Sequence, residues 1–319
     1  VRVVVVGAGA VGQCYADRLV AGGATVAFRV RRAPGPEGRF VVYELRRRGV
    51  DKREFVAPTF TTDAAVAEWR PDVVLLTVPT DALREGDWLP PLLAAAGDAL
   101  VVALEPGVED ARVLRAARPD VRLAQGIIAL IAYQAPLPGE TRFDEPGVAV
   151  YAPLTCPFAG PAEVRPALDR FVSVLRAGGL RTSVVDDLSS DGAFGTVVMA
   201  TWVTALRAGG WTFAGLAETG PLARRAALQG VATTAAQLAR PAPRWPRWLT
   251  PWVLRAALAL AARTLPLPLE TYLRVHFTKV GGQTRMHLRE VIAHGQAHHL
   301  PVDDVSALLA SADTRHPLP

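Results

Sequence analysis

The sequence predicts an α/β chain, with a doubly wound parallel sheet in its first part and an all-α domain after it. Three observations carry this reading. The chain opens on a β-branched run, residues 3–6, that ends in Gly7-Ala8-Gly9-Ala10-Val11-Gly12. Apolar runs then alternate with helix-period stretches as far as residue 187, the pattern of parallel strands joined by crossover helices. Beyond residue 187 the strand pattern stops, and helical stretches separated by prolines take over. The expected domains are 1–187 and 188–319.

The elements follow in order. Residues 3–6 read as a strand buried on both faces. Residues 11–22 read as a helix and 24–30 as the second strand. Further strands are expected at 73–78, 99–104 and 121–124, with helical patterns at 62–68 and 109–117 between them. The turn-rich stretch 127–152 closes the first domain with extra strands, one at 147–151, before a helix at 166–177 and a last strand at 181–185. Helices are then expected at 192–206, 222–239, 251–264, 270–297 and 302–312, cut apart by Pro241, Pro243, Pro246, Pro266 and Pro268.

Composition bounds the function. Half of the 319 residues are apolar, enough to bury a sizeable core, and the formal charge is +5. Arginine causes the charge, since the only lysines are Lys52 and Lys279. The densest basic run, Arg46-Arg47-Arg48, reads as a solvated helix end, so no nucleic-acid partner is expected. Cys14 and Cys156 make no paired framework, which points to a reducing, cytoplasmic setting. The first strand runs straight into the glycine loop, so no signal peptide is expected. No membrane span is expected either: residues 192–206 are too few, and Arg255 interrupts 248–262. Trp245, Trp248 and Trp252 stand among arginines, and this segment reads first as a helix packed on its own domain and second as an interfacial membrane helix.

The Gly-x-Gly-x-x-Gly loop has the context that a dinucleotide site requires, a strand before it and a helix after it. Gly7 serves the tight turn, Gly9 the approach of a pyrophosphate, and Gly12 the close packing of helix on strand. The helix start, Ala8, Ala10 and Val11 included, offers free N–H groups to phosphate. The end of the second strand decides which dinucleotide. An acid there would take the ribose hydroxyls of NAD. This chain has Arg29, Arg31 and Arg32 instead, and a guanidinium suits a 2′-phosphate. The expected cofactor is therefore NADP(H), held by Gly7 to Gly12 with Arg31 and Arg32. Thr77 and Glu105 fall at the carboxyl ends of predicted strands, the edge where open α/β sheets bind ligands. A metal is not expected.

The layout resembles the ketopantoate reductase family. The opening Val-Val-Gly-Ala-Gly-Ala-Val-Gly-Gln is similar to that family's phosphate loop. The spacing from Gly12 to Arg31 matches its 2′-phosphate arginine. Thr204-Ala205-Leu206 and His299-Leu300-Pro301-Val302 resemble later family stretches. The resemblance implies a Rossmann-type domain, a helical second domain, and NADPH-dependent reduction of a 2-keto acid. It also implies a reorganised catalytic site. The family's proton-donating lysine falls at Ala193 and its asparagine one turn on at Val197. Its second lysine falls at Pro79, the asparagine of its Asn-Gly turn at Pro106 and its C-terminal glutamate at Gln283.

A proton donor must then come from elsewhere. His276, Lys279 and Gln283, spaced three and four apart, share one face of an unbroken helix and are the candidate catalytic residues, Lys279 or His276 as general acid. Arg285 is a candidate partner for a substrate carboxylate. The expected activity is reduction of a small carbonyl or imine bound between the domains. A non-catalytic NADP(H)-binding sensor or partner subunit is the alternative. A homodimer through the helical domain is one candidate assembly.

Overall fold

A computed structural model of the chain describes residues 1–32, 38–104 and 109–318. It divides into two compact units, Val1–Ser189 and Ser190–Pro319.

The first unit is built on β1 (Arg2–Val6), which pairs in parallel with β2 (Thr25–Arg29) after the crossover helix α1 (Ala10–Ala21). The chain next forms a hairpin of β3 (Arg39–Leu45) and β4 (Val50–Val56), then returns to the sheet as β5 (Thr59–Phe60) beside β2. Helix α2 (Asp63–Trp69) leads to β6 (Val73–Leu76) on the other side of β1. Helix α3 (Leu89–Ala95), β7 (Leu100–Ala103), α4 (Asp110–Ala117) and β8 (Leu123–Gly126) extend that side. After β9 (Ile131–Ala135) and β10 (Gly147–Tyr151), the strand β11 (Cys156–Ala159), helix α5 (Arg165–Ala177) and β12 (Thr182–Val185) complete the unit.

The large sheet has the order β12-β11-β8-β7-β6-β1-β2-β5, and β4-β3-β10-β9 form a second sheet. Strand order therefore reverses between β1 and β6, the topological switch point at which such sheets bind ligands. Unbroken apolar strands follow from burial on both faces. Val3 and Val5 point into one core with Tyr15 and Leu19 of α1 and Phe171 of α5. Val4 and Val6 point into the opposite core with Leu92, Leu93 and Leu114. Both cysteines are free and buried, and burial raises the Cys14 thiol to about 12.

The hairpin corrects one expectation. Arg46-Arg47-Arg48 lie in the exposed loop that joins β3 to β4, not at a helix end. Gly49, at φ +94°, reverses the chain there and its carbonyl accepts from the Arg46 amide.

Into the second unit runs α6 (Ser189–Ala208), followed by α7 (Leu216–Gln237), α8 (Pro251–Thr264), α9 (Leu269–Lys279), α10 (Gly281–Ala297) and α11 (Asp303–Arg315). The core of this unit joins Trp202 and Leu206 of α6, Ala223 and Ala226 of α7, Leu288 of α10 and Leu308 of α11. The single helix expected at 270–297 is two helices, broken at Val280. Gly281 and Gly282 follow the break, and each weakens a helix by about 1 kcal/mol; a Cβ at Gly281 would stand 2.6 Å from Leu318, so the C-terminal tail packs where that glycine leaves room. Among the described residues no single helix is long and apolar enough to cross a membrane.

Candidate functional site

The carboxyl end of β1 sets the geometry of the glycine loop. Gly7 takes φ +100°, which glycine alone adopts without strain, and its amide donates to the Arg29 carbonyl at 2.9 Å. A Cβ at Gly12 would stand 2.0 Å from the Gly7 carbonyl oxygen, so only glycine lets α1 start this close to the strand. Gly9 is different. A Cβ there would meet nothing within 4 Å, so no protein contact demands a glycine and the bare backbone faces open space.

Two side chains brace the loop. The Thr77 hydroxyl, just past β6, lies 2.9 Å from the Val6 carbonyl and 3.1 Å from that of Gly7, across the switch point. The Gln13 side-chain amide donates to the Ala8 carbonyl at 2.8 Å. Sequence reasoning gave Gln13 no role; its place directly after the last loop glycine was the available signal. Ala8, Ala10 and Val11 are partly buried and pack on the core beneath. Helix α1 has no side-chain cap and no acid in its first turn, so its N–H groups and positive dipole end carry no local anion. This set fits a dinucleotide pyrophosphate: open backbone at Gly9, free amides, no competing carboxylate.

At the end of β2 the three arginines part ways. Arg29 is engaged, its Nε 2.7 Å from Asp63 Oδ1 and its Nη1 donating to the Val30 carbonyl. Asp63, in the first turn of α2, was not foreseen, since its partner is set by tertiary structure. Arg31 and Arg32 are exposed, and neither has a hydrogen bond or ion pair among the described residues. Glu105 lies outside the described residues.

In the second unit, His276 and Lys279 occupy the last turn of α9, and Gln283 opens α10 beyond the break. The three therefore do not lie on one unbroken helix. His276 stacks on Tyr272 at 5.3 Å and meets Phe277 edge-on. Burial, helped by the Lys279 charge, lowers His276 to about 4, so its ring is neutral near pH 7. Lys279 is exposed. Lys52 is committed elsewhere, its Nζ 2.8 Å from Asp144 and 2.6 Å from Glu145. Arg285 is also engaged: it shares Asp313 with Arg207, at 3.0 and 2.6 Å, in a pocket with room for about one water. Ala193 and Val197 are buried.

Comparison with known proteins agrees with this arrangement. Residues 3–155 match the family model described as Ketopantoate reductase PanE/ApbA. A PanE/ApbA family ketopantoate reductase from Ralstonia eutropha JMP134 superposes with a TM-score of 0.73 at 16% identity, over 99% of each chain. The 2-dehydropantoate 2-reductase of Geobacter metallireducens GS-15 gives 0.71 at 18% identity, over 98% of this chain and 99% of that one. A D-mandelate dehydrogenase, solved with NADH and anilino(oxo)acetate, gives 0.69 at 13% identity, over 99% and 98%. No curated protein sequence matches the chain. Matched in sequence over residues 3–155 and alike in fold along its length, the chain resembles the ketopantoate reductase family in its first unit and shares that family's fold.

Proposed function

We propose that the protein is an NADP(H)-dependent reductase of a small carbonyl or imine compound, with a proton donor different from the family's lysine. One observation carries the choice of cofactor: of the three arginines ending β2, Asp63 occupies Arg29 and leaves Arg31 and Arg32 exposed beside the loop strand. A guanidinium there pairs with a 2′-phosphate in bidentate fashion, and no acid stands at the end of β2 for ribose hydroxyls. The amides at the start of α1 take the pyrophosphate, and Thr77 and Gln13 hold their carbonyls out of its way. The bound nicotinamide supplies hydride.

The proton is assigned to Lys279. Lys52 is bound by two carboxylates, and His276, neutral near pH 7, is a poor acid there. His276 instead contributes a hydrogen-bonding imidazole on the same helical turn. The buried apolar side chains at Ala193 and Val197 favour a second reading, a binding protein without turnover.

Titration of the full chain with NADPH and NADH, followed by nicotinamide fluorescence, tests the cofactor. NADPH binds the more tightly, and Arg31→Ala weakens it about ten- to hundredfold while leaving NADH unchanged, the value of a hydrogen-bonded charge pair. Equal affinity for both dinucleotides overturns the choice. A screen of 2-keto acids and imines then separates reductase from sensor. Lys279→Ala lowers kcat on the substrate found without weakening NADPH; full turnover in that variant removes Lys279 from the mechanism.

A further inference from the structure

The positive charge of this protein is concentrated. From Thr219 to Leu269 there are seven arginines and no aspartate or glutamate. The whole chain has 35 basic and 30 acidic side chains, so outside this stretch 28 basic residues face 30 acidic ones. The entire positive excess lies in one segment of the helical unit.

The same segment exposes its tryptophans. Trp245 is 44% exposed, Trp248 76% and Trp252 72%. Trp245 and Trp248 sit on a single 3-10 turn, and Thr250 caps α8 directly after it, its hydroxyl accepting from the Val253 amide. Helix α8 buries no residue completely. Leu254 and Leu258 rest against the helical core. Around the helix at 100° per residue, the opposite arc carries Trp252, Arg255, Ala256, Leu260 and Arg263, all exposed. An ordinary surface helix turns charged and polar residues of both signs outward. This one turns out large apolar groups and arginines alone. Among the described residues Arg244, Arg247, Arg255 and Arg263 have no acidic partner.

We propose that this face docks the protein on an anionic lipid bilayer, lying in the interface without crossing it. Tryptophan rings favour the headgroup level, where one edge is apolar and the other wet. Arginine stems lie along hydrocarbon while their guanidiniums reach phosphate. The missing acids remove what an anionic surface would repel. Charge also sets aside a second copy of this chain, because a two-fold contact would bring arginine against arginine with no carboxylate between them. Leu260 and Ala256, between the charges, suit hydrocarbon and offer nothing to a polyphosphate strand. The inference stands apart from the cofactor reading.

Vesicle sedimentation of the full-length protein is the test, with phosphatidylcholine alone and phosphatidylcholine mixed with phosphatidylglycerol. The protein binds the anionic vesicles, not the neutral ones, and salt weakens the binding. Each arginine neutralised, in Arg247→Gln and Arg255→Gln, lowers partitioning about fivefold. Trp248→Ala with Trp252→Ala abolishes it and leaves thermal unfolding unchanged, because both rings are exposed. Equal binding to the two vesicle types, binding to neither, or full binding by the double tryptophan variant overturns the proposal. So does a solution dimer that the same double variant dissolves, which would give the face to a second copy.

Discussion

Gly9 and Gly12 stand three residues apart and answer to different demands. At Gly12 a methyl group collides with backbone at 2.0 Å, so Gly12→Ala forces β1 and α1 apart. It is expected to cost more than about 3 kcal/mol in urea unfolding, as overpacking against unyielding atoms does. Gly9→Ala meets nothing and keeps an ordinary φ of −74°, so stability changes by no more than about 1 kcal/mol, the cost at a helix start. NADPH affinity nonetheless falls at least about tenfold, because the methyl fills the space a pyrophosphate needs. His276 makes a separate prediction. Its folded value, about 4, is below its ordinary 6.5, so the unfolded chain binds the proton more readily. The stability this neutral ring preserves is complete above about pH 6.5 and is lost as pH falls toward 4. Between those limits the loss reaches at most about 3 kcal/mol. His276→Gln flattens that part of the stability profile, measured by urea unfolding at each pH. The glycine roles were legible in the sequence because a motif fixes them locally. That Arg29 is spent on Asp63, 34 residues away, was not legible, since nothing local links the two.

At the scale of elements, what binds the β3–β4 hairpin to α1 is a cluster of buried charges. Arg18, only 4% exposed, reaches Glu44 at 3.2 Å, and Arg53 of β4 bridges Glu44 at 2.8 Å and Asp17 at 3.1 Å. Burial pushes the Asp17 carboxyl up, and Arg53 opposes it. Arg18→Met removes one of two cations facing two carboxylates. The expected loss is up to about 3 kcal/mol, since two largely buried carboxylates are left to share the single cation Arg53. Thermal unfolding reads it directly, and Arg53→Met gives a smaller loss because that side chain is more exposed. The parallel strands and their crossover helices were legible from apolar period alone; β10 stands at 147–151 as expected. The hairpin was not, because residues 39–45 take their meaning from β10, more than a hundred residues later.

Across the whole molecule, the formal charge of +5 comes from 35 basic against 30 acidic side chains. The distribution is uneven, and the stretch without acids can be counted in the sequence. Which of its tryptophans face outward cannot be counted there. That needs the helical core, which takes Leu254 and Leu258 and leaves Trp252 outside. The two cysteines have a practical consequence. Both are wholly buried, and with its thiol raised to about 12 Cys14 presents almost no thiolate to a reagent at neutral pH. The native chain is thus already silent toward maleimides, and no cysteine-free background has to be built. A single Trp252→Cys exchange would create the one reactive thiol, expected to label at about one dye per molecule by mass spectrometry. That dye would then report, by its own emission, whether α8 is in water or in contact with something else.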